Sequence, residues 1–340
     1  MAGLAVRVYG HPPNGCDRLP RLIFDAISME YKMMTTTQPM FRPSHVLLAA
    51  CLLTAASAPV MAQGQQDFSK VEIKTTKIGS NFYTLEGQGG TIGVLAGPVG
   101  VFMVDAQFAP LTDKIVAAIK QISDGRIRYL VNTHVHGDHT GGNENLGKLG
   151  VTILARENLR MRLEKPNPGA NGAPGVPMAA AGLPVITYDA PITIRMNGEE
   201  VRLLPAPAAH TDGDTFVKFV NADVLMTGDF YRSIAYPNID RNNGGSLPGL
   251  IDALNAVVQN AGPNTKIIPG HGPIVDRTAV TAHRDLVIGV RDKVAALIKD
   301  GKTQEQVVAA KPTADFDAKV QQPGTTGDRF VGQLYAELKK

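Results

Sequence analysis

The sequence predicts an α/β fold, and three observations predict it. Short β-branched and aromatic runs alternate with segments whose apolar residues recur at helical spacing, and the alternation comes in two halves. Side chains capable of chemistry sit where the β-type runs stop, which is where α/β architectures place their sites. Residues 63–340 are also enough chain for one large domain with a buried core.

Residues 71–77 and 82–85 read as antiparallel strands joined at Gly79-Ser80-Asn81, and 91–95 and 100–105 continue as strands. Residues 111–122 carry apolar side chains at helical spacing. A buried strand follows over 127–132, then a helix-like stretch at 144–149 and a strand at 151–155. Residues 165–175 hold Pro166, Pro168, Pro174 and three glycines, so they cannot be regular structure. They are expected to be surface slack rather than a lid. A second strand series runs from 184 to 225 and includes 201–204. Residues 231–247 form a long loop. The helix at 248–259 carries Pro248 in its first turn, where the missing N–H costs nothing. A long helix over 277–300 and a small helical extension over 301–340 complete the chain.

The loop after the 127–132 strand reads His134-Val135-His136-Gly137-Asp138-His139. Three of the eight histidines of the chain lie within these six residues, beside a carboxylate. Imidazole and carboxylate are the usual ligands of zinc and its neighbours, so the cluster points to metal. A merely polar turn would explain one or two histidines, not three. His210 follows the 201–204 strand, His271 follows Lys266-Ile267, and Asp229 ends the run beginning at Leu225. Each of these taken singly fits a hydrogen-bonded turn equally well. Together with the cluster they supply the further ligands that a catalytic metal pair needs. His283, inside the long helix, is expected to be a packed or surface histidine.

The series H-x-H-x-D-H, a lone His, Gly-Asp and Gly-His-Gly resembles the metallo-β-lactamase superfamily, in order, over most of residues 70–300. The resemblance implies a four-layer αββα sandwich with metals at one edge of its sheets. It implies His134, His136 and His210 for a first metal, and Asp138, His139 and His271 for a second, with Asp229 bridging or completing the second site. Two zinc ions are expected, with manganese or iron as alternatives, since an oxygen ligand at Asp229 is harder than sulfur. Many zinc β-lactamases place a cysteine there. The set also resembles glyoxalase II-type thioesterases and metal-dependent lactonases. It departs from flavodiiron oxidoreductases, which put a Glu where His136 stands. Arg232 matches the place of a Lys that binds a substrate carboxylate, and Asn243 sits in a loop resembling one that helps hold a lactam carbonyl. The bland alternatives are a solvated Arg and a glycine turn.

Residues 33–62 have a basic start, a small-apolar run over 46–58 and small residues before Gln63, the pattern of a secretory signal peptide cleaved after about Ala62. The run is too short for a transmembrane span. A lipoprotein box at Leu48-Ala49-Ala50-Cys51 is a minor alternative. Residues 1–32 read as an upstream or cloning extension, with Met33, Met34 or Met40 as the start. Residues 1–62 hold five of the 34 Lys and Arg, three of the 31 Asp and Glu, and both cysteines, so the remainder carries +1 and no thiol. No basic tract appears, so a small-molecule substrate is expected and nucleic acid is not.

The sequence expectation is thus an exported, periplasmic or secreted, dinuclear zinc hydrolase of residues 63–300 followed by the 301–340 extension. A metal pair would lower the pKa of bound water and polarise a carbonyl. β-Lactam opening is the first expectation, with Asp138 orienting the nucleophile and Arg232 and Asn243 holding substrate. The alternative is a lactonase or a glyoxalase II-like thioesterase.

Overall fold

The structure, a computed structural model, describes residues 67–168, 172–322 and 324–339. The leader and the 1–32 extension lie outside the described residues. The first half contains β1 (Lys74–Lys77), β2 (Phe82–Glu86), β3 (Ile92–Leu95), β4 (Val101–Val104), α1 (Thr112–Lys120), β5 (Ile127–Val131), α2 (Gly137–Thr140), α3 (Asn143–Lys148), β6 (Thr152–Arg156), α4 (Glu157–Glu164) and β7 (Ile186–Tyr188). Its seven strands form one sheet in chain order. Pairing is antiparallel from β1 to β4 and parallel from β4 to β7.

The second half contains β8 (Ile192–Met196), β9 (Glu199–Pro205), β10 (Thr215–Phe219), β11 (Val224–Gly228), α5 (Leu247–Asn260), β12 (Lys266–Pro269), α6 (Arg277–Lys299), α7 (Gln304–Ala309), α8 (Ala314–Asp317) and α9 (Gly324–Leu338). Its sheet has the order β12-β11-β10-β9-β8, antiparallel except for the β11–β12 pair. Ser246 caps α5 by accepting from the Gly249 N–H, and Pro248 lies in the first turn as expected.

The central strands β3, β4 and β11 are buried on both faces, which is why they read as near-continuous apolar runs. Phe82, Leu95, Phe102, Val104, Val131 and Leu154 of the first sheet meet Val201, Leu203, Val217, Phe219 and Met226 of the second. The outer face of the first sheet buries Val94, Met103 and Leu130 under Leu111, Ile115, Ile119 and Leu146. The outer face of the second buries Phe216, Leu225 and Ile267 under α5 and α6. The layers are therefore helix, sheet, sheet, helix, as the resemblance implied. Val307, Phe330, Val331 and Leu334 of α7 and α9 belong to the same core as α5 and α6.

Strands β4 and β5 run parallel, so their carboxyl ends share one edge of the first sheet. In the second sheet β9, β11 and β12 point the same way, because β10 is antiparallel to β9 and β11 while β12 is parallel to β11. The loop after each of these five strands carries a residue of the site described below. Helix α4 was missed in the sequence, although Leu159 and Leu163 stand four apart and both are buried.

His283 packs its ring on Tyr231 at 5.0 Å between centroids, apart from the other histidines, and its Nε2 is buried. Burial pushes its pKa down to about 4. The unfolded chain therefore takes up this proton first as pH falls. Stability from this residue is full above about pH 6.5 and is lost as pH falls through about 4. His283→Phe, followed by urea unfolding of chelator-treated protein, is expected to flatten the loss in that window by up to about 1.4 kcal/mol per pH unit. An unchanged slope would assign the acid sensitivity elsewhere. In the inter-sheet core, Phe219 lies 4.5 Å from Phe82 and 6.2 Å from Phe102 between ring centroids. Phe219→Ala is expected to cost about 3–5 kcal/mol in denaturant unfolding.

Candidate metal centre

The seven donors predicted from sequence converge. His134, His136 and His210 form one group, His134, His139 and Asp229 a second, and Asp138, His139 and His271 a third, each with its ligand atoms within 4.8 Å of one another. Asp229 spans two rings, with Oδ1 3.3 Å from His139 Nε2 and Oδ2 3.3 Å from His271 Nε2. Asp138 Oδ2 lies 3.1 Å from His271 Nε2 and 3.6 Å from His139 Nε2.

Four of the five rings are aimed by a bond on the outward nitrogen. Carboxylates and carbonyls only accept, so the nitrogen they hold must carry the hydrogen and the other keeps its lone pair. His136 Nε2 donates to Asp240 Oδ2 at 2.7 Å, and His210 Nδ1 to the Asn238 carbonyl at 2.6 Å. His139 Nδ1 donates to Asp105 Oδ2 at 2.8 Å. The hydroxyl of Thr133 donates to the same oxygen at 2.7 Å, which leaves Thr133 Oγ1 to accept from His134 Nδ1 at 3.1 Å. One carboxylate thus orients two rings.

Metal fits this arrangement on two counts. His134 Nε2, His139 Nε2 and Asp229 Oδ1 are buried atoms without a hydrogen-bond partner, and all three point into the clusters. His136 Nδ1 and His210 Nε2 face each other at 2.9 Å, and with both hydrogens committed outward neither has one to give. Two lone pairs that close repel unless a cation lies against both. Ligand type is N and O throughout, which suits zinc and equally manganese or iron.

Protonation states agree at His134 and His210. Burial, then the neighbouring rings His139 and His210, hold His134 well below the usual histidine range, and burial with His136 holds His210 at about 4. Both are therefore neutral and able to ligate. Burial disfavours the charged forms of His139 and Asp229, but their mutual attraction, with Asp105 acting on the ring, wins. His139 is raised well above its ordinary value and Asp229 falls well below. His271 stands at about 8, where the pull of Asp138 and Asp229 outweighs burial, so a metal entering here displaces protons.

Space for these groups depends on glycine. A Cβ on Gly270 would lie 2.0 Å from Asp229 Oδ1, and one on Gly90 would lie 2.1 Å from His139 Cε1.

Arg232 and Asn243 fare differently from the donors. Arg232 is not among the residues lining the cleft over His136; its Nε is buried without a partner, and its charge acts on Arg329 of α9. Asn243 does line that cleft, but its Nδ2 donates to Asp240 Oδ2 at 2.6 Å. Its amide is spent on holding the carboxylate that aims His136. Of the 165–175 stretch, Pro166, Asn167 and Pro168 wall the same cleft, of about 490 Å³, with Val176 and Met178, rather than standing apart on the surface. Asn167 Nδ2 donates to the Asn242 carbonyl at 2.5 Å, which ties the insertion to the 240s loop.

Sequence reasoning missed Asp105, Asp240 and Asp214. Asp214 accepts from the His210 N–H at 2.7 Å and from the Thr211 hydroxyl at 2.6 Å, fixing the turn that presents His210. Asp105 had a legible signal, the same one as Asp229: an acid where an apolar strand ends. Asp105 also has φ +63°, a left-handed conformation rare outside glycine, held by its Oδ1 accepting from the Thr133 N–H at 2.8 Å. Asp105→Ala is expected to weaken divalent metal binding about 10- to 100-fold in chelator competition, the range for loss of an outer-shell partner. Unchanged affinity would mean the rings are held by packing alone.

Comparison with known proteins agrees with this geometry. A family model described as the metallo-beta-lactamase superfamily matches residues 85–271. The hydroxyacylglutathione hydrolase of Nitrosococcus oceani is 26% identical over 201 residues, 58% of this chain, and the chain spans only 66% of that relative's length. A metallo-beta-lactamase from Pontibacter korlensis aligns with TM-score 0.51 and 20% identity over 64% of this chain and 99% of its own. A stereoselective inverting sec-alkylsulfatase from Pseudomonas sp. aligns with TM-score 0.58 and 16% identity over 77% of this chain and 50% of its own. At these identities the two solved structures speak for the fold alone. The family match spans more than half of the chain, and the chain belongs to the metallo-beta-lactamase superfamily, as a metal-dependent hydrolase.

Proposed function

We propose that the protein is an exported dinuclear zinc hydrolase that cleaves an ester, thioester or lactone bond. The observation that carries this reading is Asp229, a carboxylate reaching both His139 and His271, where the sequence expectation for many β-lactamases was a cysteine. The hydrolase of Nitrosococcus oceani named above adds support for a thioester. When bound, the metals supply an activated water and a polarised carbonyl. The remaining work falls to residues of this chain. Asp138 commits Oδ2 to His271 and His139, and its other oxygen would accept a hydrogen bond from the water that the metals activate. Asp229 stays ionised beside two rings and keeps them at a fixed separation.

The cleft over His136 favours an uncharged group. Val135, Leu163, Pro166, Pro168, Val176 and Met178 line it. Its one guanidinium, Arg162, is already paired with Asp212 through two contacts of 2.7 Å and reaches Asn243 Oδ1 at 3.3 Å. A substrate carboxylate therefore finds no unpaired cation among the residues lining this cleft. β-Lactam opening would use the same donors, but of the two residues that singled it out in the sequence, Arg232 is not among those lining this cleft and Asn243 donates to Asp240. Export rests on the leader pattern, and a mature amino terminus at Gln63 in mass spectrometry of the periplasmic fraction would support it. Among the described residues, no helix is long and apolar enough to cross a membrane.

Purified protein assayed against S-lactoylglutathione, homoserine lactones, nitrocefin and imipenem tests the substrate class. A lactone, which brings no carboxylate to this cleft, is expected to exceed the β-lactams at least about tenfold in kcat/KM, an RT-scale difference of roughly 1.4 kcal/mol. The reverse order would restore the β-lactamase reading. Asp138→Ala is expected to lower turnover by about a hundredfold or more. Arg232→Ala is expected to leave KM for carboxylated substrates within about twofold, whereas loss of a charge-assisted grip would raise it by one to two orders of magnitude.

A further inference from the structure

The chain between Asp229 and α5 touches the first histidine cluster through two acceptors, the Asn238 carbonyl on His210 and Asp240 Oδ2 on His136. Residues 234–240 have no regular secondary structure of their own. A loop of this kind holds a ring to within a few tenths of an ångström only if something else holds the loop.

Helix α9 does so. Phe330 stacks on Tyr236, with ring centroids 6.0 Å apart and planes 17° from parallel. Glu337 pairs with Arg241 at 3.0 Å. Between them, Gln333 Oε1 accepts from the Ile239 N–H at 3.0 Å. Its Nε2 donates to Asn238 Oδ1 at 2.9 Å and to the Ile239 carbonyl at 3.0 Å. Positions 330, 333 and 337 share one helical face, so the three contacts form a row along the loop. Only the Gln333 contacts fall on the residues between the two acceptors. The Ile239 N–H fixes which end of the amide is oxygen, and the other two partners are oxygens that require its N–H groups. No other side chain of similar length supplies one acceptor and two donors in that arrangement.

We infer that Gln333 is a positioning residue for the metal centre: from the carboxyl-terminal helix it holds the Asn238–Asp240 backbone in the place that aims His210 and His136, and so sets the affinity of that cluster for its metal. This rests on the metal reading of the site and not on the substrate assigned above.

The test uses the full mature chain with Zn²⁺ as the probe, measured by competition with a chromophoric chelator. Gln333→Met keeps the volume and removes all three bonds. It is expected to weaken zinc binding about tenfold, the low end for a residue that supports a ligand's own partner. Urea unfolding of the metal-free variant, which loses three hydrogen bonds, is expected to shift, so zinc binding is compared well below the urea midpoint, where both proteins are fully folded. Gln333→Glu keeps an acceptor for the Ile239 N–H but sets a carboxylate against Asn238 Oδ1 and the Ile239 carbonyl, so it should not rescue binding. Tyr335→Phe, which removes only the bond to the Lys302 carbonyl on another face of α9, should leave affinity within twofold. The visible spectrum of the Co²⁺-loaded Gln333→Met protein should shift, because the histidine geometry around the ion changes. Zinc affinity within twofold of the parent for Gln333→Met overturns the inference, as does an equal loss in Tyr335→Phe. A parent protein that binds no zinc overturns the metal reading itself.

Discussion

One carboxylate organises the edge of this sandwich. Asp105 accepts from the backbone of Thr133 with one oxygen, and from the Thr133 hydroxyl and His139 with the other. Those three bonds fix the turn that starts the H-x-H-x-D-H loop and two of its rings. They require Asp105 to sit at φ +63°, a conformation that costs on the order of 1 kcal/mol or more for a side chain with a Cβ. The expense is local, and the rest of the fold absorbs it.

What absorbs it is the apolar material behind the edge. The site buries two ring nitrogens and one carboxylate oxygen that lack hydrogen-bond partners, which in a metal-free chain is destabilising. Three apolar cores, one between the sheets and one under each helical layer, offset that cost. Metal binding then links to stability, since any ion that binds only the folded arrangement adds its binding free energy to the fold. The site and the core therefore depend on each other: the core keeps the lone pairs converged, and the ion relieves the repulsion that convergence creates.

The cleft over His136 shows how a polar-looking wall becomes neutral. Arg162, Asp212, Asn243, Asn167 and Asp240 bond to one another and leave little for a substrate charge to engage. The wall is completed by an insertion whose prolines prevent regular structure but whose Asn167 ties it down.

The sequence by itself determined the class of fold and the seven donors. Both are local properties. Strand and helix periodicity is written within a few residues, and His134, His136, Asp138 and His139 announce themselves by their spacing. Asp229, His210 and His271 were legible because each ends an apolar run, and strand ends are where the chain turns at the sheet edge. Only the tertiary structure decided which nitrogen of each ring faces inward, because that depends on partners far off in sequence. Asp105 lies 34 residues from His139, and Asp240 lies 104 from His136. The surroundings of Arg232 and Asn243 were hidden from the sequence for the same reason. Their neighbours in sequence say nothing of Arg329 or of the arc of hydrogen bonds that engages Asn243. The role of α9 was hidden likewise, since Gln333 meets Asn238 and Ile239 across more than ninety residues, and a lone glutamine on a helix carries no pattern that spacing could reveal.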